Sequence, residues 1–356
     1  VINLPSIFDL VNAKEIANYW TQKAENRIPY LGETLFPTKK QLGLDLKWFK
    51  GSQGLPVMLK PSAFDTKATL RDRIGITKIE TEMPFFREAM RIGEADRQEL
   101  NKAAAAANSQ FIMPVLNRIY DDAATLIDGA LVVPERMIMQ LLSSGSIAIS
   151  ATIDGNRVAY DYDYRFPNGH KETLTGTAMW SDLTNSNPIV NIQGWQDTIE
   201  EDYGTRPTRA ICTRKTWNYL LNNQKIKLDM NPRGGQNIIM TDSMLQQYLE
   251  TKLGLRVAVY NKKFNLNGVA TLFFPDDVFT LIPDGNLGNT YYGTTPEESD
   301  LMSGATKAEV QIVNTGVAVT SIKEEHPVNV MTVVSEIVLP SFEAIDGVFI
   351  ATVHAA

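Results

Sequence analysis

The sequence predicts an α+β fold: a long helix leads into a β-sheet, and a mixed α/β unit is inserted before the last strands. Three observations predict it. Apolar residues recur every three or four positions at Ile112, Leu116, Ile119, Ala123, Ile127, Ala130, Val133, Met137 and Leu141, while Asn117, Arg118, Asp121, Asp122, Asp128, Glu135 and Arg136 fall between them. That is the spacing of an amphipathic helix. β-Branched alternation follows Gly145 at once, at Ile147, Ile149, Ala151 and Ile153, so the helix feeds directly into a strand. Two more strand patterns, over 328–339 and 347–353, arrive only at the end of the chain and are suited to rejoin the first sheet.

Each element has its own local warrant. Residues 1–43 read as an arm punctuated by Pro5, Pro29 and Pro37, with one short helix opened by an Asn12/Glu15 capping box and faced by Ala13, Ile16, Ala17, Trp20 and Ala24. Leu44, Leu46 and Trp48 then alternate with charges, and a turn over 51–54 leads to a second strand over 55–59. A third extended stretch, 73–83, sets Ile74 and Ile76 against Thr77, Ile79 and Thr81. A hairpin of this kind is marginal alone in water, so it needs a surface, and the nearest candidate is another subunit. The alanine run 103–107 has high helix propensity and reads as a lead-in to the long helix, which would measure roughly 45 Å. Pro134 interrupts that helix at a cost of about 3 kcal/mol, predicting a kink or a second helix.

Strands are expected over 147–153, 157–164 and 170–176, with Tyr160, Tyr162 and Tyr164 on one face and Asp161 and Asp163 on the other. Asn187 followed by Pro188 starts a helix whose buried side is Ile189, Ile192, Trp195, Ile199 and Tyr203. A strand over 209–213, helices over 217–221 and 243–253, and strands over 255–260, 269–274 and 278–282 complete a mixed unit. The Gly-, Asn- and Thr-rich stretch 283–308 reads as a mobile loop.

Composition narrows the function. A chain of 356 residues predicts about two domains. Cys212 is the single cysteine, so no disulfide framework or four-thiolate metal site is expected, and a reducing compartment fits. No secretory signal or 18-residue apolar run is present. The first residue, Val1, fits removal of an initiator methionine or of a longer leader. Net charge is −7, yet the window 39–78 holds nine Lys/Arg against three Asp, so +6 faces −13 elsewhere. A basic segment lying on the acidic body of the next subunit would be complementary.

No phosphate-binding glycine loop or zinc-protease motif occurs, and His170, His326 and His354 are too few for a histidine metal cluster, so no cofactor is expected. Cys212 sits in an apolar strand and reads as a core thiol. Asp161 and Asp163 could serve a paired-carboxylate hydrolase or a calcium ion, although a solvated or salt-bridged role is the simpler reading. Asp197, Glu200, Glu201 and Asp202 crowd the C-terminal end of a helix, against its dipole, which makes them a candidate dock for a neighbour's basic hairpin. A pI near 5.2 without a basic aromatic stripe argues against a nucleic-acid reader.

This order of parts resembles the lambda-type phage major capsid protein family (phage major capsid protein E), which has the Hong Kong 97-type capsid fold of tailed phages. The resemblance is carried by Pro84, Phe85, Phe86, Arg87 and Glu88 at the end of the extended loop. It is carried further by Glu135, Met137, Gln140, Leu141 and Gly145 at the helix end, by Tyr160 to Phe166 with His170, and by Trp180, Pro188, Trp195 and Trp217. It implies an N-terminal arm over 1–41, an extended hairpin (E-loop) over 42–83, a peripheral domain with a spine helix over 84–186 and 326–356, and an axial domain over 187–325. It also implies a non-enzymatic protein that assembles as hexamers and pentamers into an icosahedral shell around DNA, with no sequence-specific grip on it. The implied location is the virion, after assembly in the host bacterial cytoplasm. Scaffolding and portal proteins are the implied partners, with a decoration protein as a further candidate. Expected subunit contacts are Lys47, Trp48, Phe49, Lys50, Lys60, Arg71 and Arg73 on the hairpin and Asp197, Glu200, Glu201 and Asp202 on the body. The alternatives are a nanocompartment shell holding protein cargo and a hydrolase built on Asp161 and Asp163.

Overall fold

The computed structural model describes residues 10–25, 27–50, 77–105, 109–153, 156–304, 308–325 and 328–355. In chain order the first half comprises α1 (Ala13–Ala24), α2 (Leu31–Leu35), β1 (Thr38–Lys40), β2 (Asp45–Lys50), β3 (Thr77–Glu82), β4 (Phe85–Arg91), α3 (Glu94–Ala105), α4 (Ser109–Ser144), β5 (Ser146–Ile153), β6 (Asn156–Asp163) and β7 (Lys171–Thr173). The second half comprises α5 (Pro188–Tyr203), β8 (Arg209–Cys212), α6 (Arg214–Asn222), α7 (Gln224–Met230), α8 (Asp242–Leu253), β9 (Arg256–Val259), β10 (Lys263–Leu266), β11 (Val269–Leu272), β12 (Val278–Ile282), β13 (Thr290–Tyr292), α9 (Pro296–Ser303), β14 (Glu309–Val313), β15 (Val317–Glu325), β16 (Val328–Pro340) and β17 (Phe349–Thr352). The chain divides into two compact units: residues 1–46, 81–135 and 289–340 form one, and residues 47–80, 136–288 and 341–356 the other.

The first unit is built on β16. Its early residues pair with β15, residues Met331 to Ile337 also pair with β4, and the last three pair with β13. β1 adds parallel to β13, and β14 adds to β15. Valines 330, 334 and 338 of β16 share a face by the period of two, and they pack in one core with Val313, Val317 and Val319 and with the helical residues Ile16, Trp20, Ile119, Ala123, Ile127 and Leu131. The acidic residues between the apolar positions of α4 hold α1 in place. Asp121 accepts from Tyr19 at 2.9 Å and Lys23 at 2.7 Å, and Asp128 accepts from the Trp20 indole at 2.9 Å.

The second unit contains the sheet β7-β17-β12-β8-β9, antiparallel where β12 meets β17 and β8, and parallel at both edges. Its core gathers Trp180, Trp195, Trp217, Phe279 and Phe349 with the leucines of α6 and α8. Trp180 and Trp195 lie 5.8 Å apart, and Trp195 stacks on Phe349 at 5.5 Å. The same unit also holds two hairpins, β5 with β6 and β10 with β11. Asn267 and Gly268 turn the latter with positive φ at both positions, the preferred two-residue hairpin turn.

Several expectations are corrected. α4 runs as one helix through both Pro114 and Pro134, so of the two outcomes expected at Pro134 the second helix is excluded. Each proline removes one backbone bond, but Met137, Ile138, Met139, Leu141 and Leu142 beyond Pro134 are all buried, and that packing outweighs the loss. The stretch 283–308 is not a plain loop. It carries β13, held between β1 and β16, and α9, whose N-cap Thr295 accepts from the Glu298 N–H at 3.2 Å and whose end is a left-handed Gly304. The late strand β16 does not rejoin the strands after α4, since it pairs with β4, β13 and β15. β17 alone returns to that region, on β7. β2 pairs with β3, while the expected strand over 55–59 lies outside the described residues.

Candidate assembly surfaces

The hairpin root places its expected contact residues unevenly. Lys47 is exposed on β2, whereas Trp48 is only 4% exposed and its ring lies 5.3 Å from Tyr164 of the same chain, tilted by 33°. An indole flanked by its own chain's tyrosine buries its apolar surface there. In the single chain Lys47 is therefore the accessible member of the pair, while Trp48 packs on Tyr164. The side chains of Phe49 and Lys50, and residues Lys60, Arg71 and Arg73 altogether, lie outside the described residues.

The acidic end of α5 is partly neutralised from within. Arg206 reaches both Asp197 and Glu200 at 2.6 Å, one turn apart on the helix. Asp202 shares a 3.0 Å hydrogen bond with Nε2 of the buried His170, and Gly204 closes the helix in the left-handed region. Glu201 is exposed and has no partner among the described residues. Sequence periodicity placed all four acids at one helix end. It did not show that Arg206, beyond the glycine, folds back on two of them.

The catalytic alternatives find little support in the geometry. Asp161 and Asp163 are exposed on β6, where Asp163 accepts from the Arg165 N–H at 2.8 Å. The Cys212 thiol is fully buried, and burial pushes its pKa up, away from the reactive thiolate. His354 bonds Ser181 at 2.8 Å and His170 bonds Asp202, and among the described residues neither is hydrogen-bonded to that thiol. A cavity beside α6 and α8 is lined by Trp217, Asp242, Ser243, Gln246 and Glu250. Hydrogen bonds from the Trp217 indole and from Arg214, at 2.9 and 2.8 Å, hold the Asp242 carboxyl below the usual range. A carboxylate held ionised in this way is a poor proton donor. Among the described residues no group of three or more His, Cys, Asp or Glu could hold a metal ion, and no helix is long and apolar enough to cross a membrane.

The surface instead shows scattered large apolar side chains. Ile28 and Leu42 of the arm are 77% and 76% exposed, and Ile239 is 90% exposed.

The family model for phage major capsid protein E matches residues 12–353. Among solved structures, the chain is similar to a protein assigned as the capsid protein of a prophage of E. coli CFT073, at 16% identity and a TM-score of 0.58, covering 97% of this chain and 99% of that one. It is also similar to a phage-related protein of Bordetella bronchiseptica RB50, at 12% identity and a TM-score of 0.56, covering 96% and 98%. No curated protein matches the sequence. At such identities the structural likeness is one of fold, and that fold is the Hong Kong 97-type capsid fold. The family model spans nearly the whole chain, and the chain therefore belongs to the phage major capsid protein E family.

Proposed function

We propose that the protein assembles as hexamers and pentamers into an icosahedral shell that encloses DNA, with no enzymatic chemistry of its own. The family match over residues 12–353 carries this reading. On it, residues 1–41 act as the arm, 42–83 as the loop that drapes over a neighbour, 84–186 with 326–356 as the peripheral domain, and 187–325 as the axial domain. Scaffolding and portal proteins are its partners, with a decoration protein as a further candidate, and assembly takes place in the host cytoplasm. Lys47, Trp48, Phe49, Lys50, Lys60, Arg71 and Arg73 remain the proposed hairpin contacts, and Asp197, Glu200, Glu201 and Asp202 the acidic ones.

The physical basis is distributed. Interfaces of a specific assembly each bury on the order of 1,000 Å² or more, and symmetry repeats every one of them. The exposed Ile28, Leu42 and Ile239 are apolar surface that a neighbour would cover. A subunit of net charge −7 carries no excess of basic groups with which to grip phosphates.

Negative-stain imaging together with light scattering of the purified protein tests the reading. Closed shells of uniform size are expected, and a stable monomer at high concentration would overturn it. Protein cargo in place of DNA inside such shells would turn the reading toward a nanocompartment.

A further inference from the structure

Among the described residues two strands leave a bare edge. Among the described residues β4 pairs only with β16, and β6 pairs only with β5. The β4 ladder is bracketed by two bonds of 3.4 Å, from the Ile92 N–H to the Val330 carbonyl and from the Val338 N–H to the Pro84 carbonyl. Even-numbered residues of this stretch therefore aim their backbone groups at β16. By alternation Phe85, Arg87, Ala89 and Arg91 aim theirs away from it.

On the hairpin, the Gln140 amide closes on Ala148 from outside. Its Nε2 donates to the Ala148 carbonyl at 3.1 Å, and its Oε1 accepts from the Ala148 N–H at 3.2 Å. The backbone groups of Ala148 thus point away from β6, and those of its register partner Asp161 point away from β5. Ala159 and Asp163 share that outward orientation. Gln140 and Ser144 cap the outer edge of β5, but nothing described caps that of β6. Residues 87–91 are exposed, as are Ala159, Asp161 and Asp163. An exposed edge of this length is a ready template for another strand.

Charge selects the occupant. If β4 paired with itself across a two-fold axis, keeping its outward groups bonded, the three registers of longest overlap would oppose Glu88 with Glu88, Arg87 with Arg91, or Arg87 with Arg87. Each sets like charges face to face. β6 offers the opposite sign. In an antiparallel register Arg87 lies opposite Asp163, Ala89 opposite Asp161 and Arg91 opposite Ala159, which puts Asp161 diagonal to both arginines. The other face then sets Glu88 beside Tyr162 and Met90 beside Tyr160. Arg87 and Arg91 each hold one carboxylate of their own chain, Glu297 and Glu324, and a guanidinium with five donors has others to give.

We propose that β6 of one copy adds to the edge of β4 of a second copy, a head-to-tail strand addition of the kind that closes into rings. This rests on the shell reading above and deepens it.

Glu88→Cys combined with Tyr162→Cys in the full chain tests it. These positions would face each other as a non-hydrogen-bonded pair, about 4.5 Å apart at Cα and within disulfide reach, and the one native thiol is buried. After mild oxidation a ladder of covalent multimers is expected on a non-reducing gel, reversed by reductant. Glu88→Cys with Ala159→Cys, whose second thiol lies on the opposite face, should give none. Shells without a ladder, or equal ladders from both pairs, overturn the strand pairing and leave the shell reading intact. If no shells form, the shell reading fails, and the ladder alone still decides the pairing. Asp161→Arg, an exposed position with no partner among the described residues, provides an independent check: it should cut the assembled fraction several-fold, and a parental yield overturns the proposal.

Discussion

Glu336 lies on β16 with 1% of its surface exposed and neither carboxylate oxygen hydrogen-bonded. Burial pushes its carboxyl well above the ordinary value of 4.5, so the folded chain keeps it neutral where the unfolded chain ionises it. An acid with a raised folded pKa contributes stability that is complete below the unfolded pKa and is lost as the pH rises toward the folded one. Glu336→Gln removes that dependence. Relative to the parent, its thermal stability should grow by up to about 1.4 kcal/mol per pH unit as the pH rises above the ordinary carboxyl value. Parallel curves above that value would refute a neutral Glu336. Glu135 is also buried, at 2%, but its Oε2 accepts from the Gly32 N–H at 2.9 Å, near the start of α2. In the sequence it reads as a polar position between apolar ones. Periodicity cannot show that a backbone donor a hundred residues away will occupy a carboxylate.

At the scale of elements, α4 is the part most legible in the sequence, because a stripe repeated over nine positions outvotes any single residue. Its end is legible too. Gly145 takes a φ of +76°, and a Cβ there would stand 2.7 Å from the Cβ of Phe166. The left-handed conformation alone costs a non-glycine residue about 1–2 kcal/mol, and the clash adds to it. Gly145→Ala should therefore lower unfolding free energy in denaturant titration by at least about 1 kcal/mol, and an unchanged midpoint would show that the turn relaxes freely. The elements the sequence hid are short. β13 has three residues, too few for alternation to register, and its Gly- and Asn-rich surroundings resemble a loop. β4 reads as Phe-Phe-Arg-Glu-Ala-Met-Arg, neither period two nor a clear helix, and it becomes a strand because β16 supplies the ladder.

At the scale of the molecule, charge distribution carries the prediction. Lys47→Glu with Lys50→Glu reverses the sign of the hairpin root, so assembly followed by light scattering should fall most at low ionic strength and recover toward the parent as salt screens the contact over about 10 Å or less. Assembly unchanged across salt would remove the hairpin from the interface. What the sequence determined by itself was local and periodic: the long helix and its capping, the strand after Gly145, the buried Cys212, the excess of basic residues near the hairpin, and the order of parts that resembles the capsid family. What only the tertiary structure decided was pairing. It joined β16 to β4, packed Trp48 on Tyr164, turned Arg206 back onto Asp197 and Glu200, and left β4 and β6 with open edges among the described residues. The reason is that a strand's hydrogen bonds, or a carboxylate's cation, are chosen among all residues that folding brings near, and that choice is a property of three-dimensional proximity that no window along the chain contains.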